Sequence, residues 1–266
     1  MHPKYFSVRE THTPTPVNTS FKFETHEYYE ILLFLEGDAK FIIEDRTYSL
    51  NPNDIIIVRK NELHRLSLNR AVPYHRIVIH AYPSFFQKYE CPEYEAQFLN
   101  TATGIDNKIP AKVVRSSGLY DAFMKYSKYS NHGEIRENTP ILRSMIMEIL
   151  YLINNTTNFS TPDYSSGPME SVILFLNNSF TEDITLDMLE KQFFLTKNHL
   201  CKAFRNATGI TIFSYIRKKR LANVQELVSG GLSINDAARM SGFHDYSSFY
   251  RAYKKEFGIS PKQLLK

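Results

Sequence analysis

The sequence predicts an α+β chain: an N-terminal β-barrel with a helical hairpin, then an all-α domain carrying two helix-turn-helix units. Three observations predict it. Residues from about Phe21 to Pro83 alternate short β-rich runs with turn signals, the last 83 residues contain one helical pattern written twice, and a polar stretch separates the two regions. The expected divisions are 1–153 for barrel and hairpin, 154–168 for a linker and 169–266 for the helical domain.

The runs YYEILLFL, AKFIIE, DIIIVR and YHRIVIHA are rich in β-branched and aromatic residues, which suit a pleated, packed surface. Turn signals at Glu36-Gly37-Asp38, Asn51-Pro52-Asn53-Asp54 and Arg59 to Glu62 separate them. From about Leu119 to Asn154 the period becomes helical, with Leu119, Phe123, Tyr126 and Tyr129 on one face and Ile141, Met145, Ile149 and Leu152 on another. Pro140 fits a first helical position and Thr139 its N-cap. Two helices joined by NHGEIRENTP would form an antiparallel hairpin. The segment NNTTNFSTPDYSSGP, Asn154 to Pro168, holds almost nothing that can pack and reads as a linker.

The repeat begins at Ile184 (ITLDMLEKQFFLTKNHLCKAFRNATGITI) and returns about 48 residues later at Leu232 (LSINDAARMSGFHDYSSFYRAYKKEFGISP). In the second copy Ile234, Ala237 and Ala238 have helical spacing, and Ala238 is small where two helices must cross closely. Gly242 supplies a left-handed turn residue. Asp245 is a suitable N-cap for a helix that turns Phe249, Ala252, Tyr253 and Phe257 inward. Gly258 with Ser260-Pro261 ends it. In the first copy Thr196 caps the second helix and Leu200, Ala203 and Phe204 point inward. Glu190 stands where the second copy has Ala238, and Phe194 where it has Gly242, so the first unit is expected to be looser or reshaped. Ahead of the repeats, Val172, Ile173, Phe175 and Leu176 can cover them. Between them, Tyr215, Ile216, Leu221, Val224 and Leu227 predict one helix that holds both units, with Arg217, Lys218, Lys219 and Arg220 as a basic stretch for phosphate contact.

Charge follows the repeat. From Lys191 onward 14 Lys and Arg face four acidic residues, a net +10, whereas the preceding part carries 18 against 24. A basic segment that coincides with a doubled helix-turn-helix points to nucleic acid. Only Cys91 and Cys201 are present, so a disulfide framework is not expected. No apolar run approaches a membrane span and the N-terminus lacks an apolar signal region, which predicts a cytoplasmic protein without a membrane partner.

The region from about Met169 to Lys266 resembles the DNA-binding domain of the AraC/XylS family of transcription regulators. The resemblance rests on Leu186/Leu189, Leu200-x-x-x-Phe204 with Thr208-Gly209, Lys219-Arg220-Leu221-Ala222, Ser233-Ile234 through Ala237-Ala238, Gly242-Phe243, and Phe249-x-x-x-Tyr253-Lys254-Lys255-x-Phe257-Gly258-x-Ser260-Pro261. Glu190, Phe194 and Ser241 depart from the family's usual choices. The resemblance implies that both second helices enter successive major grooves of double-stranded DNA, about 34 Å apart. The DNA-facing set would be Lys197, Asn198, Cys201, Lys202 and Arg205 in the first unit and Tyr246, Ser247, Tyr250, Arg251 and Lys254 in the second. Of these Arg251 and Lys202 suit guanine edges and Asn198 suits adenine. Cys201 reads as a space-filler rather than a redox group.

In the barrel, His26-x-x-x-Glu30 followed by Gly37, then Leu50-x-Pro52-x-Asp54 and His64, is similar to the paired motifs of the cupin fold, which regulators of this family often carry as a sensor. Cupins that bind metal present a His-x-His pair. Here Glu24 takes the first place, leaving His26, Glu30 and His64 as possible ligands, and neither a bound metal nor another cofactor is expected. The expected use is a small-molecule pocket. Its effector-binding candidates are His26, Tyr28, Glu30, Arg59 and His64, with Tyr74 and His75 as further lining groups. His26, Tyr28 and Glu30 share one strand parity and stand or fall together.

The reading that follows is a transcription regulator, not an enzyme, that responds to a small-molecule effector such as a sugar; whether it acts as activator or repressor depends on where its site lies relative to a promoter. The hairpin would make a homodimer, and RNA polymerase is a further partner. Two alternatives are a cupin-type metal-dependent enzyme with a DNA-binding tail, and a DNA-binding protein without an effector.

Overall fold

The chain divides into two compact units, Met1–Ser166 and Gly167–Lys266. The computed structural model describes residues 5–14, 16, 21, 23–44, 46–99, 104–130, 139–156 and 169–265.

Among the described residues of the first unit, eight strands form two antiparallel sheets. They are β1 (Phe6–Thr13), β2 (Tyr29–Glu36), β3 (Ala39–Ile43), β4 (Arg46–Leu50), β5 (Ile55–Val58), β6 (His64–Leu68), β7 (Tyr74–Ala81) and β8 (Lys108–Ile109). The larger sheet has the order β1-β7-β2-β5-β8, and the smaller has β4-β3-β6. Side chains from both sheets meet between them: Leu32, Phe34, Ile56, Val58 and Val78 face Phe41, Ile43, Tyr48, Leu66 and Leu68. The other face of the larger sheet (Tyr29, Ile31, Leu33, Ile55, Ile77, Ile79) packs on helices. Strand β2 therefore reads as a nearly continuous apolar run because both of its faces are covered.

The covering helices are α1 (Pro83–Lys88), α2 (Pro92–Leu99), α3 (Ala111–Ser116), α4 (Leu119–Ser130) and α5 (Pro140–Asn155). Three of them, and strands β1, β4, β6 and β8, were not expected from the sequence. Short strands with mixed polarity such as RTYSL give little periodic signal. The α4 and α5 pair forms as expected, with two corrections. Tyr129 and Ile141 are 42% and 46% exposed, and Leu152 is only half-buried. The buried stripe of α5 is Leu142, Met145, Ile146, Ile149, Leu150 and Ile153, one residue round from the expected face. Thr139 is the N-cap residue, but its side chain makes no capping hydrogen bond. The joining segment 131–138 and linker residues 157–168 lie outside the described residues; residues 154 and 155 belong to α5.

The second unit consists of α6 (Glu170–Ser179), α7 (Leu186–Phe193), α8 (Lys197–Thr208), α9 (Ile212–Ser229), α10 (Ile234–Met240), α11 (Tyr246–Phe257) and a short 3-10 turn, Pro261–Leu265. Each repeat helix starts on a side-chain cap: Thr185 accepts from the Met188 amide, Thr196 from His199, Ser233 from Asp236 and Asp245 from Ser248. Such caps each contribute about 1 kcal/mol. Helix α9 is the spine. Its Leu221, Val224 and Val228 pack on Ala237, Ala238, Phe249 and Tyr253 of the second repeat, while Tyr215 meets Phe204 of the first edge-on at 5.5 Å. Phe257, expected inward, is 38% exposed and only leans on Tyr253. Among the described residues no helix is long and apolar enough to cross a membrane.

Candidate functional site

Two candidate sites stand in separate units. In the helical unit the second helix of each repeat buries one face and presents the other. On α8, Leu200 and Phe204 are buried, and Asn198, Cys201, Lys202 and Arg205 are exposed. On α11, Phe249 and Tyr253 are buried, Tyr246, Ser247, Arg251 and Lys254 are exposed, and Tyr250 is half-buried. Lys197 is drawn back toward α7 by an ion pair with Asp187, Nζ to Oδ1 2.6 Å. The ring of Tyr246 rests against Phe249, 5.7 Å between centroids, and remains 41% exposed.

The two turns solve one problem differently. Gly242 has φ +88° and Phe194 has φ +54°, both in the left-handed region that costs a side chain about 1–2 kcal/mol. Phe194 bears the strain because its ring is 92% exposed and meets no crowding. Glu190 is not a misfit at the helix crossing either: its carboxylate accepts the Lys197 amide at 3.3 Å and so supports the start of α8. The first unit is thus reshaped rather than loosened.

Of the basic stretch on α9, only Arg217 is exposed. Lys218 is paired with Glu256. Arg220 spends its guanidinium inside the unit, donating to the carbonyls of Phe180 (2.6 Å), Gly242 (2.6 Å) and Glu182 (2.7 Å). It is a structural latch, which corrects the expectation of phosphate contact at that position.

In the barrel unit a cavity of about 500 Å³ opens beside Glu30. Its wall combines the charged Arg9, Glu24, Glu30, Arg76 and His80 with the aromatic Tyr28 and Tyr82, over Phe21, Phe41, Leu66 and Val78. Tyr28 and Glu30 share the expected parity and both reach the wall. His26 and His64 do not; they stand behind it, against wall residues. His26 stacks on Tyr28 at 3.9 Å and its Nε2 lies 3.5 Å from Glu30 Oε2. His64, 1% exposed, has its Nε2 3.8 Å from Glu24. His80, directly opposite Glu30 in the β2–β7 register, brings its Nε2 within 3.3 Å of the same carboxylate oxygen.

Burial alone would raise the Glu30 pKa, yet hydrogen bonds from His26 and His80, with the charges of His64 and His26, hold it well below the usual carboxylate range. Burial pushes the His64 imidazole down, and His26 adds to this. The Tyr28 phenol is pushed up to about 12, first by burial and then by Glu30, so it remains a hydrogen-bond donor at neutral pH.

Three expected lining groups lie elsewhere. Arg59 is 8% exposed and donates to Glu62 and to the carbonyls of Ile105 and Asp106, away from the cavity. His75 is bound to Glu10 at 2.7 Å, on the opposite parity of β7. Tyr74 packs on Phe34 in the barrel core. The sequence reading missed Arg9, Arg76, His80 and Tyr82. Alternation along β7 was the available signal, because Arg76 and His80 share the parity of Tyr74.

Comparison with known proteins finds two family matches in the chain. Residues 8–125 match the AraC-like ligand binding domain and residues 189–266 match a helix-turn-helix domain. The chain is similar to the HTH-type transcriptional activator RhaR of Cronobacter sakazakii, 23% identical over 256 residues that cover 91% of this chain and 86% of the relative. It is also similar to the HTH-type transcriptional activator RhaS of Yersinia pestis, 22% identical over 92% of this chain and 89% of the relative. Among solved structures, ToxT from Vibrio cholerae aligns over 98% of both chains at 17% identity and a TM-score of 0.41.

Proposed function

Since the chain belongs to the AraC family of DNA-binding transcription regulators, we propose that it is an activator switched by a small polar metabolite, a sugar or a near relative, bound in the barrel cavity. The observation that carries this reading is the wall itself. Two carboxylates (Glu24, Glu30), two arginines (Arg9, Arg76) and two tyrosines, Tyr82 and Tyr28 with its phenol kept protonated, surround about 500 Å³, a combination that suits a polyhydroxylated ligand. Such a ligand switches the protein only if it binds two arrangements of the chain with different affinity.

The test is a thermal-shift screen of the full chain against sugars, sugar acids and polyols. A ligand at 100 times its Kd stabilises the protein by about 2.7 kcal/mol, and Arg76→Ala should abolish the shift while leaving the unliganded melting temperature near that of the parent. No stabilising compound, or a shift that Arg76→Ala leaves intact, overturns the cavity reading.

On DNA, α8 and α11 would enter successive major grooves, with Asn198, Cys201, Lys202 and Arg205 facing one and Tyr246, Ser247, Tyr250, Arg251 and Lys254 the other; Lys197 serves from the edge of the first. Because the two helices differ in sequence, a single chain reads a directional site. Arg251→Ala should weaken specific binding by about 1–3 kcal/mol and relax preference at one base pair. An equal loss on all sequences would make Arg251 a phosphate contact instead. The exposed Tyr129, Ile141 and Tyr151 on α4 and α5 support pairing of two chains through this hairpin, and activation implies that the bound regulator contacts RNA polymerase.

A further inference from the structure

We propose that the effector is a polyhydroxylated carboxylic acid, a sugar acid rather than a neutral sugar, with its carboxylate between Arg9 and Arg76 and its hydroxyls against Tyr28 and Glu30. This deepens the effector reading and rests on the barrel cavity being the effector site.

The cavity wall is sorted by charge. Both of its carboxylates have partners: Glu30 Oε2 lies 3.3 Å from His80 Nε2 and 3.5 Å from His26 Nε2, and Glu24 Oε1 lies 3.8 Å from His64 Nε2. Its two arginines have none of opposite charge. Among the described residues neither Arg9 nor Arg76 forms an ion pair, and the neighbour of the Arg76 guanidinium is the neutral Tyr74, with the ring centroid 5.7 Å away. Both arginines have the inward parity of their strands, Arg9 with Ser7 on β1 and Arg76 with Val78 and His80 on β7.

Strand register brings the two together. Arg9 stands opposite Val78, so Arg76 is its diagonal neighbour at roughly 7–8 Å. Two like charges at that separation repel, and a carboxylate between them relieves the repulsion while accepting charge-assisted hydrogen bonds from both. Glu30 stands at the other end, opposite His80, four residues or about 13 Å along β7 from Arg76. A ligand lying along β7 therefore meets the guanidinium groups at one end, and at the other the Tyr28 phenol and the Glu30 carboxylate, a donor and an acceptor for hydroxyl groups. Glu24 and Glu30 also limit the anion. Like charges in one cavity oppose each other, so a singly charged carboxylate suits this wall better than the phosphate of a sugar phosphate, which carries close to two negative charges.

The experiment is calorimetric titration of the full chain with matched pairs at equal ionic strength: galacturonate against galactose, glucuronate against glucose and gluconate against sorbitol, with glucose 6-phosphate as the phosphate arm. At least one acid is expected to bind about tenfold or more tightly than its neutral parent and than the phosphate, and to weaken as salt is raised. Arg9→Gln should cost that acid about tenfold or more, which is what a hydrogen bond to a charged group is worth. Arg9→Glu should cost it more still, with far-UV circular dichroism unchanged in both variants. Neutral sugars that bind as tightly as their acids, a phosphate that binds more tightly than the carboxylates, or an acid affinity that Arg9→Glu leaves unchanged overturns the proposal and leaves the cavity as effector site. If no compound of any kind binds, both readings fall.

Discussion

Gly242→Ala should destabilise the helical unit by about 3 kcal/mol or more, and Gly242→Val by little beyond that. Two effects add. The backbone sits at φ +88°, which costs a side chain about 1–2 kcal/mol. Space is the harder limit: a Cβ would stand 2.5 Å from the Thr181 carbonyl oxygen and 2.9 Å from Arg220 Nε. The Thr181 backbone cannot yield cheaply, because Arg220 fastens its neighbours Phe180 and Glu182 to the same turn. The first methyl group therefore does most of the damage. Urea unfolding of the full chain should show the loss in the transition of the helical unit, and specific DNA affinity should fall with it as α11 leaves its angle to α10. A change below about 0.5 kcal/mol, or a large gap between the alanine and valine variants, would show that the turn is not confined in this way.

That prediction also shows where the repeat was legible and where it was not. Its caps, its glycine and its inward residues obey rules local to a few positions, so Thr196, Asp245, Ala238 and Phe249 stand where those rules put them. Whether a turn tolerates a side chain depends on what lies above it, and that is not local. Nothing near Phe194 announces open solvent, and nothing near Gly242 announces the Thr181 carbonyl. The same limit misled the reading of Arg220, whose three carbonyl partners come from two other segments of the unit.

In the barrel, parity carried the inference as far as Tyr28 and Glu30, then stopped. Pairing of β2 with β7 sets His80 opposite Glu30, and strand pairing is not written in either strand alone. Arg59 misled for a related reason. A charged residue after a buried strand looks like a pocket group until its carboxylate is found three residues later.

Glu62→Ala should destabilise the barrel unit by about 3–5 kcal/mol, the cost of leaving a buried cation without its partner. Glu62 is 1% exposed. Its Oε2 accepts from the Arg59 amide at 2.8 Å and from Asn107 Nδ2 at 2.7 Å; its Oε1 accepts from the Gly104 amide at 2.7 Å and from Arg59 Nη1 at 3.3 Å. Alanine would strand two amides, a carboxamide and most of a guanidinium charge in a region that water does not reach. Glu62→Gln keeps the shape and some acceptors but loses the charge, so it should fall between alanine and the parent. The loss should not stay local. The Glu62 carbonyl holds Nδ1 of His64, and His64 stands directly behind Glu24 and Glu30 of the cavity wall, so any metabolite bound there should be held more weakly. Thermal unfolding of the full chain, with and without such a ligand, measures both effects. A barrel unit that melts within a degree or two of the parent would mean that Arg59 finds another partner, and that the network closes this end of the barrel without stabilising it.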